Sequence, residues 1–139
     1  YEKIDDAIKE ECINLLDLWC EKKDCEDVGL KAEVCACKLA LNNMNALSLR
    51  GGALRVDGKI VAFSLGEKYN EETVIIHFEK GDTLYKGVFQ TIFMEFIKNE
   101  CSDLKLVNRE EDMGFEGLRR AKLSYQPCFM LEMYDAVCN

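Results

Sequence analysis

A chain of 139 residues that is 48% apolar can bury one hydrophobic core, and a single domain spanning 1–139 is expected. Its formal charge of −8 and pI near 4.8 exclude broad binding to DNA or to an anionic membrane, because counterion release needs a basic surface. No apolar run reaches bilayer length and no targeting leader is recognisable, so a cytoplasmic protein without a membrane span is expected.

Eight cysteines, at 12, 20, 25, 35, 37, 101, 128 and 138, follow no compact disulfide pattern, and no C-x-x-C occurs. Cys35-Ala36-Cys37 lacks a second half to complete a tetrahedral zinc site. The expectation is no metal, and mostly small apolar thiols packed in a core.

From Ile4 to Lys23 the spacing of Ile4, Ile8, Cys12, Leu15, Leu16 and Trp19 predicts an amphipathic helix, with acids at its start and lysines at its end. Asp24–Gly29 breaks the pattern, and Leu30 to about Asn45 restores it through Val34, Cys37, Leu41 and Met44. Gly51-Gly52 then opens a predicted strand, Ala53–Val56. Asp57-Gly58 joins it to a second, Lys59–Glu67, because a tight hairpin needs positive φ at both central positions.

The β-branched run Thr73–Glu79 predicts a third antiparallel strand. It carries His77, the one histidine; neither a Cys or Ser partner nor a metal cluster accompanies it, and it reads as structural. Gly81-Asp82-Thr83 is expected to cap a third helix that runs to about Asn99. Leu104–Val107 supplies a fourth strand, Gly117–Leu123 a helix, and Cys128–Met133 a closing strand after the break at Pro127.

Between that fourth strand and the last helix lies the charged run Asn108, Arg109, Glu110, Glu111, Asp112. Charges at the end of a strand are solvated, paired or part of a ligand site. Arg119 and Lys122 share one face of the helix that follows. This cluster is the first candidate for a substrate site, and Lys80, Lys86 and Gly87, at the entrance to the third helix, are candidates for binding a phosphate.

The segments VDGKIVAFSLGEK (56–68), VIIHFEKGDTLYKG (74–87) and VNREEDMGFEGLRRAKLSYQP (107–127), in this order and spacing, resemble the bacterial family of the phosphatidylglycerol lysyltransferase C-terminal domain. Those proteins are similar to the GNAT acyltransferase superfamily and often carry two GNAT-like halves in one chain. The resemblance spans roughly Leu30 to Tyr134. It implies an α/β (α+β) fold with a mixed, mostly antiparallel sheet flanked by helices. It also implies that this chain is the C-terminal half of a longer protein, with an N-terminal GNAT-like half as its partner. The superfamily's usual first strand is not evident in the sequence.

What the resemblance implies for chemistry is transfer of an acyl or aminoacyl group. Such transfer needs a base for the attacking amine and an acid for the leaving group. Glu79 and either Glu110 or Glu111 fit the first role, Tyr125 the second, and Glu110, Glu111 and Asp112 would attract a cationic amino acid. In the superfamily the turn at 80–87 holds the pyrophosphate of coenzyme A. Here it departs from the usual Gln or Arg followed by spaced small residues, and Asp82 adds negative charge, which leaves the donor open between acyl-coenzyme A and aminoacyl-tRNA. Without a long membrane region, phosphatidylglycerol is not the expected acceptor. The alternative is a non-catalytic ligand-binding or scaffolding half, which on its own would form homodimers or aggregate through an uncovered apolar face.

Overall fold

The computed structural model describes residues 1–22, 28–134 and 136–137, and the chain divides into two compact units, Tyr1–Asn108 and Arg109–Asn139. Among the described residues of the first unit are strand β1 (Glu2–Lys3), helices α1 (Asp6–Lys22) and α2 (Val28–Asn42), strands β2 (Leu49–Val56), β3 (Lys59–Lys68) and β4 (Thr73–Gly81), helix α3 (Val88–Glu100) and strand β5 (Leu106–Asn108). The five strands lie in chain order across one sheet, with β1 to β4 antiparallel and β5 parallel to β4.

Helix α1 starts two residues later than the apolar spacing predicts. The Asp5 carboxylate accepts the N–H groups of Ala7 and Ile8 at 3.0 and 2.9 Å and so caps the helix, while Ile4 donates its own N–H to Gly51 O at 3.0 Å. The Ile4 bond directly follows β1, the short first strand that the sequence did not reveal, which pairs Glu2 with Ala53 and Lys3 with Gly52. Arg55 on β2 secures it, forking to Glu2 of β1 at 2.7 Å and to Glu11 of α1 at 2.6 Å. The predicted break at Asp24–Gly29 falls mostly outside the described residues, and α2 already includes Val28 and Gly29.

Strand β2 begins at Leu49, so Gly51 and Gly52 sit inside it rather than opening it. A Cβ on Gly52 would lie 2.0 Å from the Tyr1 hydroxyl oxygen, which shows why the position is bare: the Tyr1 side chain lies over the strand there. The hairpin at Asp57 (φ 48°) and Gly58 (φ 78°) forms as predicted.

Between β3 and β4 the register slips at a bulge: Leu65 opposes Phe78 and Gly66 opposes Ile76, which leaves His77 as the extra residue. Its Nε2 lies 3.3 Å from Glu67 Oε1. The bulge exchanges faces, because Ile76 packs with α3 and Phe78 packs on the opposite side, against the layer of α1 and α2.

One core fills that α1–α2 side, with Cys12, Leu16, Cys37, Leu41, Phe63 and Leu65 essentially inaccessible. On the other side α3 covers two separate apolar clusters, Val61, Ala62, Val88 and Ile92 in one and Val74, Ile76, Phe96 and Cys101 in the other. Burial pushes the Cys12 and Cys37 thiols up to about 12, in keeping with core thiols. Cys20 departs from that expectation and is disulfide-bonded.

In the second unit, helix α4 (Glu116–Leu123) follows a loop that begins at Arg109. The closing strand expected at Cys128–Met133 does not form: Gln126 takes φ 52° before Pro127, no strand pairs with the segment among the described residues, and Phe129, Met130, Leu131 and Met133 are exposed. Apolar content alone does not make a strand without a neighbour to accept its backbone hydrogen bonds.

Candidate functional site

Strand β4 pairs with β5 only at Thr73–Ile75, where Ile75 meets Asn108. It then runs on through Ile76–Gly81 without a strand on that side among the described residues, carrying Glu79 about 13 Å past Ile75 at the usual rise per residue. Parallel strands that part company in this way leave backbone groups and side chains at their C-terminal ends for a ligand.

Side-chain alternation decides what each residue there can reach. Phe78 and Lys80 point to the α1–α2 layer, so Glu79 points to the α3 side, where Ser64 of β3 stands directly opposite it in register. Lys80, expected to bind a phosphate, is 6% exposed; its ammonium is paired with Glu33 and lies 4.2 Å from the centre of the Trp19 ring. The residue preceding the turn is thus on the wrong face to join Lys86 and Gly87. Lys80→Ala is expected to lower stability by roughly 2–3 kcal/mol and Lys80→Met by about 1, since Met keeps the stem on Trp19 and Glu33 retains access to water. Urea midpoints that fall equally in both variants would place the whole effect on the charge.

The turn itself is a loop, not the first turn of the helix. Asp82 donates its N–H to Val61 O at 2.8 Å and accepts that of Leu84 on Oδ1 at 3.2 Å, and Tyr85 N–H reaches Asp82 O at 3.1 Å. Gly87 then enters α3 with φ 78°, a conformation that stops the helix from starting at Asp82. The first turn of α3 holds no acidic residue and no side-chain cap, and Lys86 is exposed beside it. A helix N-terminus of that kind offers N–H groups and partial positive charge to an anion.

The remaining candidates gather in the second unit, largely on one another. The Arg109 guanidinium lies 4.5 Å from the centre of the Tyr125 ring. Arg119 Nε donates to Asp112 Oδ2 at 2.6 Å, and Gly114 N–H to Asp112 Oδ1 at 2.9 Å; both hold the Asp112 carboxyl below the usual range, Arg119 the more strongly. Lys122 donates to the carbonyls of Arg109 and Glu111, and burial, with the charge of Arg109, pulls its ammonium below the ordinary lysine value. Arg119 and Lys122, three residues apart, both turn back to the preceding loop. Glu110, with φ 55°, and Glu111 are exposed. Asn108 ends β5 in the first unit.

Ser64 escaped the sequence reading. The signal was there: it is the one hydroxyl in the apolar run Ile60–Leu65, every residue of which is buried. Among the described residues no group of three His, Cys, Asp or Glu side chains could hold a metal ion. None of the described helices is long and apolar enough to cross a membrane.

Residues 1–137 match the family described as phosphatidylglycerol lysyltransferase, C-terminal, and the match takes in both units. A conserved protein of unknown function from Bacteroides thetaiotaomicron, solved by crystallography, is 43% identical and superposes with a TM-score of 0.88 over 93% of this chain and 44% of its own. An uncharacterized protein of Mycoplasmoides gallisepticum is 28% identical over 112 residues, which make up 80% of this chain and 36% of that protein. The chain therefore spans less than half the length of either. Ribosomal-protein-alanine N-acetyltransferase from Brucella melitensis superposes with a TM-score of 0.63 at 14% identity, over 99% of this chain and 98% of its own. At that identity it speaks for the fold, which is GNAT-like: a mostly antiparallel sheet flanked by helices.

Proposed function

We propose that this chain, which belongs to the phosphatidylglycerol lysyltransferase C-terminal family, is a GNAT-fold acyltransferase domain that passes an aminoacyl group from aminoacyl-tRNA to an amine or hydroxyl acceptor. One observation carries the reading. Strand β4 outruns β5 and brings Glu79 to the entrance of α3, so a carboxylate and an anion-binding helix terminus share one end of the sheet.

Glu79 takes the proton from the attacking amine or hydroxyl, and its half-buried position keeps the carboxylate from being fully screened by water. Gly87, the N–H groups of the first turn of α3, and Lys86 hold a donor phosphate; Asp82 does not oppose this strongly, since its carboxylate is turned to the Leu84 N–H. The same residues fit the pyrophosphate of acyl-coenzyme A. Either donor supplies an activated acyl carbon. For the second unit, taken by itself, Tyr125 is the proposed acid for the leaving group, Glu110 and Glu111 the carboxylates that attract a cationic aminoacyl group, and Arg109 a further substrate contact; Asn108, at the end of β5 in the first unit, is another. Arg119 and Lys122 act by shaping the loop that presents those carboxylates.

A second reading is that this half is non-catalytic and completes a larger protein. The exposed apolar residues of the second unit, Phe115, Phe129, Met130, Leu131, Met133 and Tyr134, favour it, since so short a unit cannot bury them on its own. The N-terminal half of the longer chain, or a second copy of this one, would cover them.

The test is the thermal midpoint of the full-length protein with lysyl-tRNA, with uncharged tRNA and with acetyl-coenzyme A. A ligand present at a hundredfold its dissociation constant adds about 2.7 kcal/mol, a rise of several degrees. The expected result is a rise with the aminoacylated tRNA that exceeds the rise with uncharged tRNA. A rise with acetyl-coenzyme A alone would replace the donor, and no rise with any of the three would favour the non-catalytic reading.

A further inference from the structure

We infer that Ser64 is a positioning residue for Glu79, its buried hydroxyl serving as the hydrogen-bond donor that orients the carboxylate. Ser64 is 0% exposed, and its Oγ has no hydrogen-bond partner in the structure. A buried hydroxyl without a partner is a net cost to folding, and an alanine would remove it. Nothing in the packing asks for a hydroxyl: Phe63 and Leu65, on either side, point into the α1–α2 core, and Ser64 points between them to the side covered by α3.

On that side the apolar contacts of α3 are split into two clusters, and neither includes Ser64. Its cross-strand neighbours are Gly52 on β2 and Glu79 on β4. Gly52 offers no side chain, and the Tyr1 ring that lies over it sends its hydroxyl to Glu100 Oε1 at 3.1 Å. Glu79 is thus the one side chain directly opposite. Residues so paired have Cβ atoms about 4.5–5.5 Å apart, a separation that a serine hydroxyl and a carboxylate bridge by a rotamer change. From α3 this face receives Val88, Ile92 and Phe96, which are apolar; the charged and titratable groups on or bordering it besides Glu79 include Tyr1, Lys3, Arg50, Glu95, Glu100, Cys101 and Asp103.

A hydroxyl that donates to the ionised carboxylate keeps Glu79 charged and fixes which of its oxygens faces the acceptor. The inference deepens the reading of Glu79 as a base and rests on it for its functional meaning, but the contact itself is read without any activity. The measurement is the titration of the Glu79 side-chain carbon by NMR in protein labelled with 13C-glutamate, assigned with Glu79→Gln. Ser64→Ala is expected to move the Glu79 midpoint upward by about one pH unit, and Ser64→Thr to leave it near the wild-type value. Ser64→Cys, close in size and a weak donor, is expected to shift it in the same direction as alanine. An unchanged midpoint in both Ser64→Ala and Ser64→Cys, with melting temperatures at or above wild type, overturns the inference. A normal shift together with an active Glu79→Gln protein would instead keep the contact and reject the base.

Discussion

Phe96→Ala is expected to cost about 3–5 kcal/mol, which for a protein of this size corresponds to a fall in melting temperature of roughly 10–17 °C. The side chain is wholly inaccessible and packs under α3 with Val74, Ile76 and Cys101, and with the partly buried Phe93, Ile97 and Leu104. Val74 belongs to the stretch of β4 that pairs with β5, and Leu104 leads into β5. The cavity therefore opens beneath the three-residue parallel ladder, and pairing at Leu106–Asn108 is expected to loosen before the rest of the sheet. Amide hydrogen exchange checks this: protection at Leu106 and Asn108, whose N–H groups face β4, should drop further than protection in β2 and β3. A uniform loss across all the strands would mean that the sheet opens as one unit and that Phe96 supports no part of it preferentially.

How far the sequence foretold this arrangement depended on whether a signal was local. The Asp57-Gly58 hairpin and the β-branched run of β4 declare themselves, because backbone conformation and burial are set there by adjacent residues. The bareness of Gly51 and Gly52 answers side chains far away in the chain, Tyr1 at one and Met44, Leu65 and Ile4 at the other, so a glycine pair that reads as a strand opening is in fact strand interior. The β4 bulge, equally silent in sequence, depends on Gly66: a Cβ there would lie 2.5 Å from Ile75 O.

The site shows the same division. Resemblance and strand position single out Glu79, but only the bulge and the alternation after it determine that Glu79 faces Ser64 and α3 while Lys80 faces Trp19 and Glu33. Charge alone made Lys80, Arg119 and Lys122 look available. Each is engaged, by Glu33, by Asp112 and by two carbonyl groups respectively, contacts whose partners no periodicity brings to notice.

Glu79→Gln in the full-length protein is expected to lower turnover by about 10²–10⁴, the usual worth of a general base, while KM for the donor stays close to wild type. Glutamine keeps the size and the strand position, so the sheet, the bulge and the α3 terminus should be undisturbed, and an unchanged melting temperature would verify this. The expected split between turnover and KM follows from position: the proposed base lies on β4, whereas the proposed contacts to the donor phosphate lie on the loop and helix that follow it, Lys86, Gly87 and the first turn of α3. In the wild type, turnover should rise with pH along an ascending limb, because the base works only when ionised, and in Glu79→Gln that limb should be absent. Loss of donor affinity with turnover intact would move Glu79 from chemistry to binding. Full activity in the variant would remove it from the mechanism and leave Glu110 and Glu111, exposed on the second unit, as the carboxylates to test next.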